Sequence, residues 1–365
     1  MIKVGILSMQ NIQNCGSVLQ AYSLKKTIEK LGADVYFVDI KANEDDNNLL
    51  DGAKGNNLEI TYHTLNLMER FQLVKNWKLQ ALAFYFFRKK YLEIGKKTNN
   101  FDLCIIGSDE VFNCMYAGWW GFTSQLFGNI PEAKDVVTYA ASCGSTSYNQ
   151  LPEKVKERII DAFKRISFFS VRDSNTKHFV SQMTDKDITL NLDPVLIYDF
   201  KEEMDATPIP DVPQKYCLIY AYPNRIGKKE EYERILDFCQ RHSLTPVTVC
   251  TSQFWCKRNI ICSPFQTLKL FENAEFVITD TFHGTIFSVK YAKKFAIIIR
   301  KSNSNKLIDL SDRLDVSRHI TDDMSNLDNI YVMEKETNKI VSIIESEKKK
   351  TIEYLEGCIN GTREI

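Results

Sequence analysis

Neither sign of charge prevails in this sequence: 47 Lys and Arg stand against 47 Asp and Glu, so no global field favours nucleic acid or an anionic surface. Long apolar runs are missing too, and none approaches the ~18 residues that a membrane span requires. Residues 2–7 already read as a strand, which leaves no room for a signal peptide. No Gly-x-Gly-x-x-Gly follows that strand, so dinucleotide binding gains little support. The ten cysteines lack the close pairing of zinc ligands; Cys250, Cys256 and Cys262 recur every six residues. They are expected as reduced thiols, with no metal site and no cofactor. Internal repeats and low-complexity tracts are absent as well. What is present suits an ordinary globular protein: 44% hydrophobic and 26% charged residues over a 365-residue chain, long enough for two domains.

The pattern along the chain alternates strand and helix. Residues 3–9 read as a strand, 17–31 as a helix closed by Gly32, and 34–40 as a second strand, which together make a βαβ unit. Residues 41–57 read as a polar loop, and 58–91 as a helical stretch ending Phe84-Tyr85-Phe86-Phe87-Arg88-Lys89-Lys90-Tyr91. Basic and aromatic residues together can bind a membrane interface. Here the expectation is that they pack on the N-terminal domain and border the acceptor side, without entering lipid. Strands follow at 101–106, 136–141, 168–171 and 188–192. They deliver Gly107-Ser108-Asp109-Glu110-Val111-Phe112-Asn113, Ser142-Cys143-Gly144, Arg172-Asp173-Ser174 and Asp193-Pro194 to their C-terminal ends. In open α/β sheets that is where ligands bind.

Residues 201–214 carry acidic residues and three prolines and read as a linker. A second alternation starts with a strand at 216–222, and a charged helix at 337–360 closes the chain. The expected organisation is an N-terminal Rossmann-like domain (1–200, acceptor side), a linker (201–214), a C-terminal Rossmann-like domain (215–330, donor side) and a terminal helix (331–365). The two domains would face each other across a cleft.

One stretch concentrates the chemistry. Residues 276–279 read as a buried strand, Asp280 and Thr281 as a cap, and 285–293 as a helix, which places His283 in the turn between. Gly284 beside it would let a ligand approach the backbone. A helix start offers unpaired N–H groups to an anion, and a histidine there can move a proton near neutral pH.

Five motifs occur in a fixed order: Asn14-Cys15-Gly16-Ser17-Val18-Leu19-Gln20-Ala21-Tyr22, the Gly107 to Asn113 segment, Tyr139-Ala140-Ala141-Ser142, Ser170-Val171-Arg172-Asp173 and Thr279-Asp280-Thr281-Phe282-His283-Gly284. In this the chain resembles the polysaccharide pyruvyl transferase family, from about residue 3 to about residue 316. Glu110 stands where Gln is usual in that family, and Phe112 where Trp is usual. The resemblance implies a fold similar to GT-B glycosyltransferases. It also implies transfer of a pyruvyl group from phosphoenolpyruvate to a sugar diol as a cyclic ketal, in cytoplasmic synthesis of surface polysaccharide.

For the site, the resemblance implies His283 and Arg172 at the donor, with a downstream lysine aligned to Lys306; Lys301 and Arg300 are the alternatives in the same loop. Thr281 and Gly284 join the donor group. Asp109 is the candidate to orient or deprotonate the acceptor, and equally a candidate to cap its own loop. Asn14, Ser108, Asn113 and Ser142 are expected on the acceptor side. Phosphoenolpyruvate carries a phosphate and a carboxylate, which Arg172 can grip bidentately and Lys306 as a point charge. Two other classes use the same frame: a glycosyltransferase with a nucleotide-sugar donor, and a catalytically idle binding protein.

Overall fold

A computed structural model describes residues 1–42, 44–50, 67–98, 100–116, 118–223, 225–300 and 303–361. The helix expected from residue 58 is therefore described only from Leu67, and the alternative donor residue Lys301 lies outside the described residues.

Among the described residues twelve strands form two six-stranded parallel sheets. The first holds β1 (Lys3–Leu7), β2 (Asp34–Phe37), β3 (Phe101–Asp109), β4 (Ala133–Ala141), β5 (Ile166–Val171) and β6 (Ile188–Leu190), in the order β2-β1-β3-β4-β5-β6. The second holds β7 (Tyr216–Tyr220), β8 (Thr245–Val249), β9 (Asn259–Ile260), β10 (Phe276–Thr279), β11 (Phe295–Ile298) and β12 (Ile320–Thr321), in the order β12-β11-β10-β7-β8-β9. Read from its other edge, this is the dinucleotide-fold order, with its reversal between β7 and β10; the first sheet reverses between β1 and β3. Strands covered on both faces should be apolar throughout, and Val4, Ile6, Leu103, Ile105, Val277 and Ile278 are all buried.

The helices that matter to the site are α1 (Cys15–Lys30), α2 (Leu67–Phe87), α3 (Pro264–Asn273), α4 (Phe282–Tyr291), α5 (Ser304–Arg313) and α6 (Thr337–Gly361). The 201–214 stretch includes a short helix, Lys201–Asp205. α6 returns to the first sheet: Leu355, Cys358 and Ile359 pack with Val4, Ile6, Leu103 and Ile105, and the Tyr354 hydroxyl donates to the Thr138 carbonyl at 2.7 Å. One apolar cluster runs through both halves. Tyr22 of α1 meets Phe265 of α3 edge-on at 5.2 Å, and Phe87 of α2 meets the same ring at 4.8 Å. The ring of Phe265 thus ties α1, α2 and α3 together.

The basic and aromatic segment differs from its expectation. Phe84 and Phe87 are buried between the two halves, whereas Tyr85 and Phe86 stay exposed. Residues Arg88–Leu92 continue α2 as a π-helical turn. Among the described residues none of the ten cysteines is in a disulfide, and nine are buried.

Candidate active site at the facing strand reversals

The two strand reversals meet across the cleft through α1 and α4. Asn14 caps α1, its Oδ1 accepting from the Gly16 and Ser17 amides at 2.8 and 3.4 Å. Its Nδ2 crosses to the Tyr222 hydroxyl, just past β7, at 3.3 Å. Thr281 caps α4 by accepting from the Gly284 amide at 2.9 Å. His283 therefore lies within the first helical turn, one residue past Phe282, and not in the turn before the helix. A threonine cap starts a helix as soon as its φ/ψ allow, and no residue between 281 and 285 resists.

The imidazole of His283 reaches into the first half. Its Nε2 lies 3.1 Å from Gln20 Oε1 and 3.4 Å from Asp193 Oδ2. Both oxygens are acceptors and both face Nε2, so Nδ1 points the other way. On that side stands Gly16: a β-carbon there would fall 2.2 Å from His283 Nδ1 and 2.1 Å from Cγ. Only glycine permits this approach. Gly284 plays another part than expected. A β-carbon on it would lie 2.0 Å from Thr279 Oγ1, and its N–H is already given to Thr281. The space beside Gly284 is taken by the end of β10, not kept open for a ligand.

Asp193 joins the two halves and was not assigned from sequence. It is fully buried, and its Oδ2 receives Arg172 Nη1 at 3.2 Å, Ser108 Oγ at 3.3 Å and the His283 ring. Oδ1 accepts from the Val195 amide at 3.0 Å. Burial by itself would raise this carboxyl, but His283, Arg172 and the Val195 amide outweigh it and hold it below the usual carboxylate range. Arg172, also buried, stacks on Phe282 of the opposite half, 4.1 Å from the ring centroid. Its Nε has no hydrogen-bond partner among the described residues, which leaves one donor unspent.

Lys306 sits inside the first turn of α5, not in a loop, and its Nζ meets Glu110 Oε1 at 2.8 Å. Glu110 Oε2 accepts from Asn113 Nδ2 at 2.7 Å. Burial opposes ionisation of Glu110, yet Lys306, Arg172 and Asn113 pull its carboxyl down to about 2. Arg300 is engaged elsewhere: it pairs with Glu231 at 2.7 Å and with buried Asp280 at 3.1 Å.

Asp109 has φ of 96°, rare for a residue with a side chain, and the Ser142 amide donates to its carbonyl at 2.9 Å. Its carboxylate accepts from Ser17 Oγ at 2.6 Å and from the Glu110 amide at 2.9 Å. Ser108 and Ser142 are buried supports rather than exposed groups, the latter donating to Asp173 at 2.8 Å. Asn113 also accepts from Thr146 at 2.7 Å. Of the four acceptor-side residues, Asn14 alone lines the cavity beside His283.

That cavity measures about 470 Å³ and is bounded by Asn14 and Cys15, by Val74, Asn76 and Trp77 of α2, by Tyr222 and Pro223, and by Phe254, Thr281 and His283. Its aromatic and aliphatic wall was not legible in sequence, because α2 and the residues after β8 meet only in three dimensions. Asp193 and Gln20 left a fainter signal. Asp193-Pro194 closes a strand, and Gln20 follows Gly16 by four, on one face of α1. Among the described residues no group of His, Cys, Asp and Glu is arranged to hold a metal ion.

Solved structures share the architecture. A UDP-GlcNAc 2-epimerase from Methanocaldococcus jannaschii is 13% identical, with 94% of this chain and 98% of that chain covered, at a TM-score of 0.50. The UDP-N-acetylglucosamine 2-epimerase of Rickettsia bellii is 10% identical over 98% of both chains, at 0.49. Glycosyltransferase SnogD from Streptomyces nogalater is 9% identical over 99% of both, at 0.40. At 13% identity the likeness to the Methanocaldococcus jannaschii structure is one of fold alone, in keeping with two Rossmann-like domains. Among curated proteins no sequence matches. A family model described as polysaccharide pyruvyl transferase matches residues 14–302, most of the chain and every motif at the cleft, and the protein therefore belongs to the polysaccharide pyruvyl transferase family.

Proposed function

We propose that this transferase moves the pyruvyl group of phosphoenolpyruvate onto a sugar diol, giving a cyclic ketal and inorganic phosphate. The observation that carries the reading is Arg172: a buried guanidinium with an unspent Nε–H, which shares Asp193 with His283 and stacks on Phe282 at the start of α4. A buried donor without a partner is costly, and an anionic ligand would satisfy it. Arg172 holds the carboxylate, and Lys306, on leaving Glu110, meets the phosphate. The first-turn amides of α1 and α4 that Asn14 and Thr281 do not take add donors.

In the reaction, a proton adds to the methylene carbon, and a sugar hydroxyl oxygen bonds to the adjacent carbon while losing its own proton. The bond from that carbon to the phosphate oxygen breaks, and the second hydroxyl oxygen closes the ring while its proton leaves with the departing phosphate. His283 moves the proton through Nδ1, with Asp193 and Gln20 holding Nε2. Asp109, held by Ser17, orients the acceptor hydroxyl. As written, the chemistry needs no metal and no cofactor. The reading places the enzyme in the cytoplasm, in synthesis of a surface polysaccharide, with an acceptor that is free, nucleotide-linked or lipid-linked. It meets that acceptor in solution or at the inner face of the membrane.

The test is phosphate release from phosphoenolpyruvate in the presence of candidate sugars, with calorimetry of donor binding alone. Binding that weakens with salt is expected, because the contacts are charged. Binding of nucleotide-sugars without binding of phosphoenolpyruvate would replace this reading with a glycosyltransferase.

A further inference from the structure

α2 is built unlike the other helices of this protein. Its buried side, Gln80, Phe84 and Phe87, packs into the cleft, and the Gln80 amide donates to the Cys262 carbonyl at 2.7 Å. Its outer side shows apolar residues where a solvated helix would show polar ones. Leu67, Phe71, Val74, Leu82, Tyr85 and Phe86 are exposed, with Leu67 at 84%, Phe71 at 65% and Phe86 at 58%. They recur at three- and four-residue steps and so share one side of the helix. Lys75 and Lys78 fall within the same ladder, and Lys89 and Lys90 are exposed in the π-helical turn that follows it. From residue 67 to residue 92 the chain has six Lys and Arg against one Glu, an excess of five positive charges in a protein whose net charge is zero.

We propose that the outer face of α2 docks on an anionic lipid bilayer. The composition matches an interfacial helix: aromatic and aliphatic side chains to enter the headgroup boundary, and long cationic ones to reach phosphate from within the same face. Among the described residues, no helix is long and apolar enough to cross a membrane, so α2 lies on the surface. The charge excess selects this occupant over a second copy of the chain, because two such faces brought together would repel. Val74 belongs both to that outer face and to the wall of the cavity beside His283. Docking therefore sets the mouth of that cavity at the bilayer, where an acceptor carried on a lipid is presented to it. This last consequence rests on the proposed function; the docking does not.

The experiment is flotation of the full chain with vesicles of phosphatidylglycerol and phosphatidylcholine, against phosphatidylcholine alone. Association with the anionic vesicles is expected, with recovery falling steeply as salt is raised. Phe71→Ser with Phe86→Ser, and separately Lys75→Glu with Lys78→Glu, should each lower partitioning about tenfold or more. All four positions are exposed, so phosphoenolpyruvate binding in solution should not change. Wild-type protein that stays with the soluble fraction would overturn the docking. So would sedimentation showing a dimer that the Phe71 and Phe86 changes dissociate. Loss of phosphoenolpyruvate binding with vesicle binding intact would strike only at the proposed reaction.

Discussion

The starts of α1 and α4 are built alike and used differently. Each is capped by a side-chain oxygen, Asn14 in one and Thr281 in the other, and each carries a glycine in its first turn. Against Gly16 lies the imidazole of His283, from the opposite half; against Gly284 lies Thr279, from the strand just before it. The first glycine makes room for a reacting group, and the second lets a helix sit close on its own sheet. The surroundings follow the same division. The first half supplies Asp193, Arg172, Asp109 and Glu110, a set of charges that need partners. The second supplies His283 and Lys306, which reach over to meet them. Each half alone would leave buried charge unbalanced, so the cleft is the place where the two become compatible.

Removing the group that crosses the cleft should have the largest effect. His283→Ala is expected to lower turnover by roughly 10²–10⁴-fold, while the Michaelis constant for phosphoenolpyruvate changes little. Normal turnover in steady-state kinetics would sink the proposed proton transfer. A raised Michaelis constant with normal turnover would make His283 a phosphate ligand only.

Arg172→Ala breaks the first half's side of the contact. It strips a buried carboxylate, Asp193, of its cation, a change that costs about 3–5 kcal/mol of stability. Urea denaturation should show the loss, and donor affinity should fall more than turnover. A variant as stable as the wild type would mean that Asp193 is balanced by His283 alone.

The glycine pair sharpens the comparison with one substitution made twice. Gly16→Ala pushes a methyl into the buried His283 ring and should reduce both turnover and stability. Gly284→Ala overpacks α4 against Thr279 and should cost about 1–3 kcal/mol of stability. Melting temperatures should fall for both, and the turnover of the protein that remains folded should fall further for Gly16→Ala. Equal losses of turnover would erase the distinction drawn between the two helix starts.

The smallest effect belongs to Glu110→Gln, which releases Lys306. Its folded carboxyl lies at about 2, below the ordinary value of about 4.3, so its contribution to stability is complete above the ordinary value. That contribution is lost as pH falls towards 2. The stability difference between wild type and Glu110→Gln should be constant above about pH 5 and shrink between about 4.3 and 2. Denaturant midpoints at neutral and acid pH would reveal a difference that does not change, if the ion pair contributes nothing. At neutral pH the variant should also bind phosphoenolpyruvate more tightly, because Lys306 no longer has to leave a carboxylate.

Much of this was written locally. Strand periodicity, the Thr281 cap and the ordered motifs depend on neighbours within a few residues, so the sequence by itself determined two parallel α/β sheets, the family, and the placing of Arg172, Asp109 and His283 at or just past strand ends. Boundaries slipped at two helix starts: α4 begins at Phe282, under the Thr281 cap, and α5 at Ser304, which moves His283 and Lys306 from turns into helices. Pairings between distant segments were decided by the tertiary structure alone. Asp193 gained its meaning when α4 delivered an imidazole to it, and Glu110 when α5 delivered a lysine. Gly284 lost the role expected of it because Thr279 fills the space beside it, and α2 became distinctive only once one of its sides was covered. Spacing along a chain reports which side chains share a face; what stands opposite that face is fixed by how the two sheets pack.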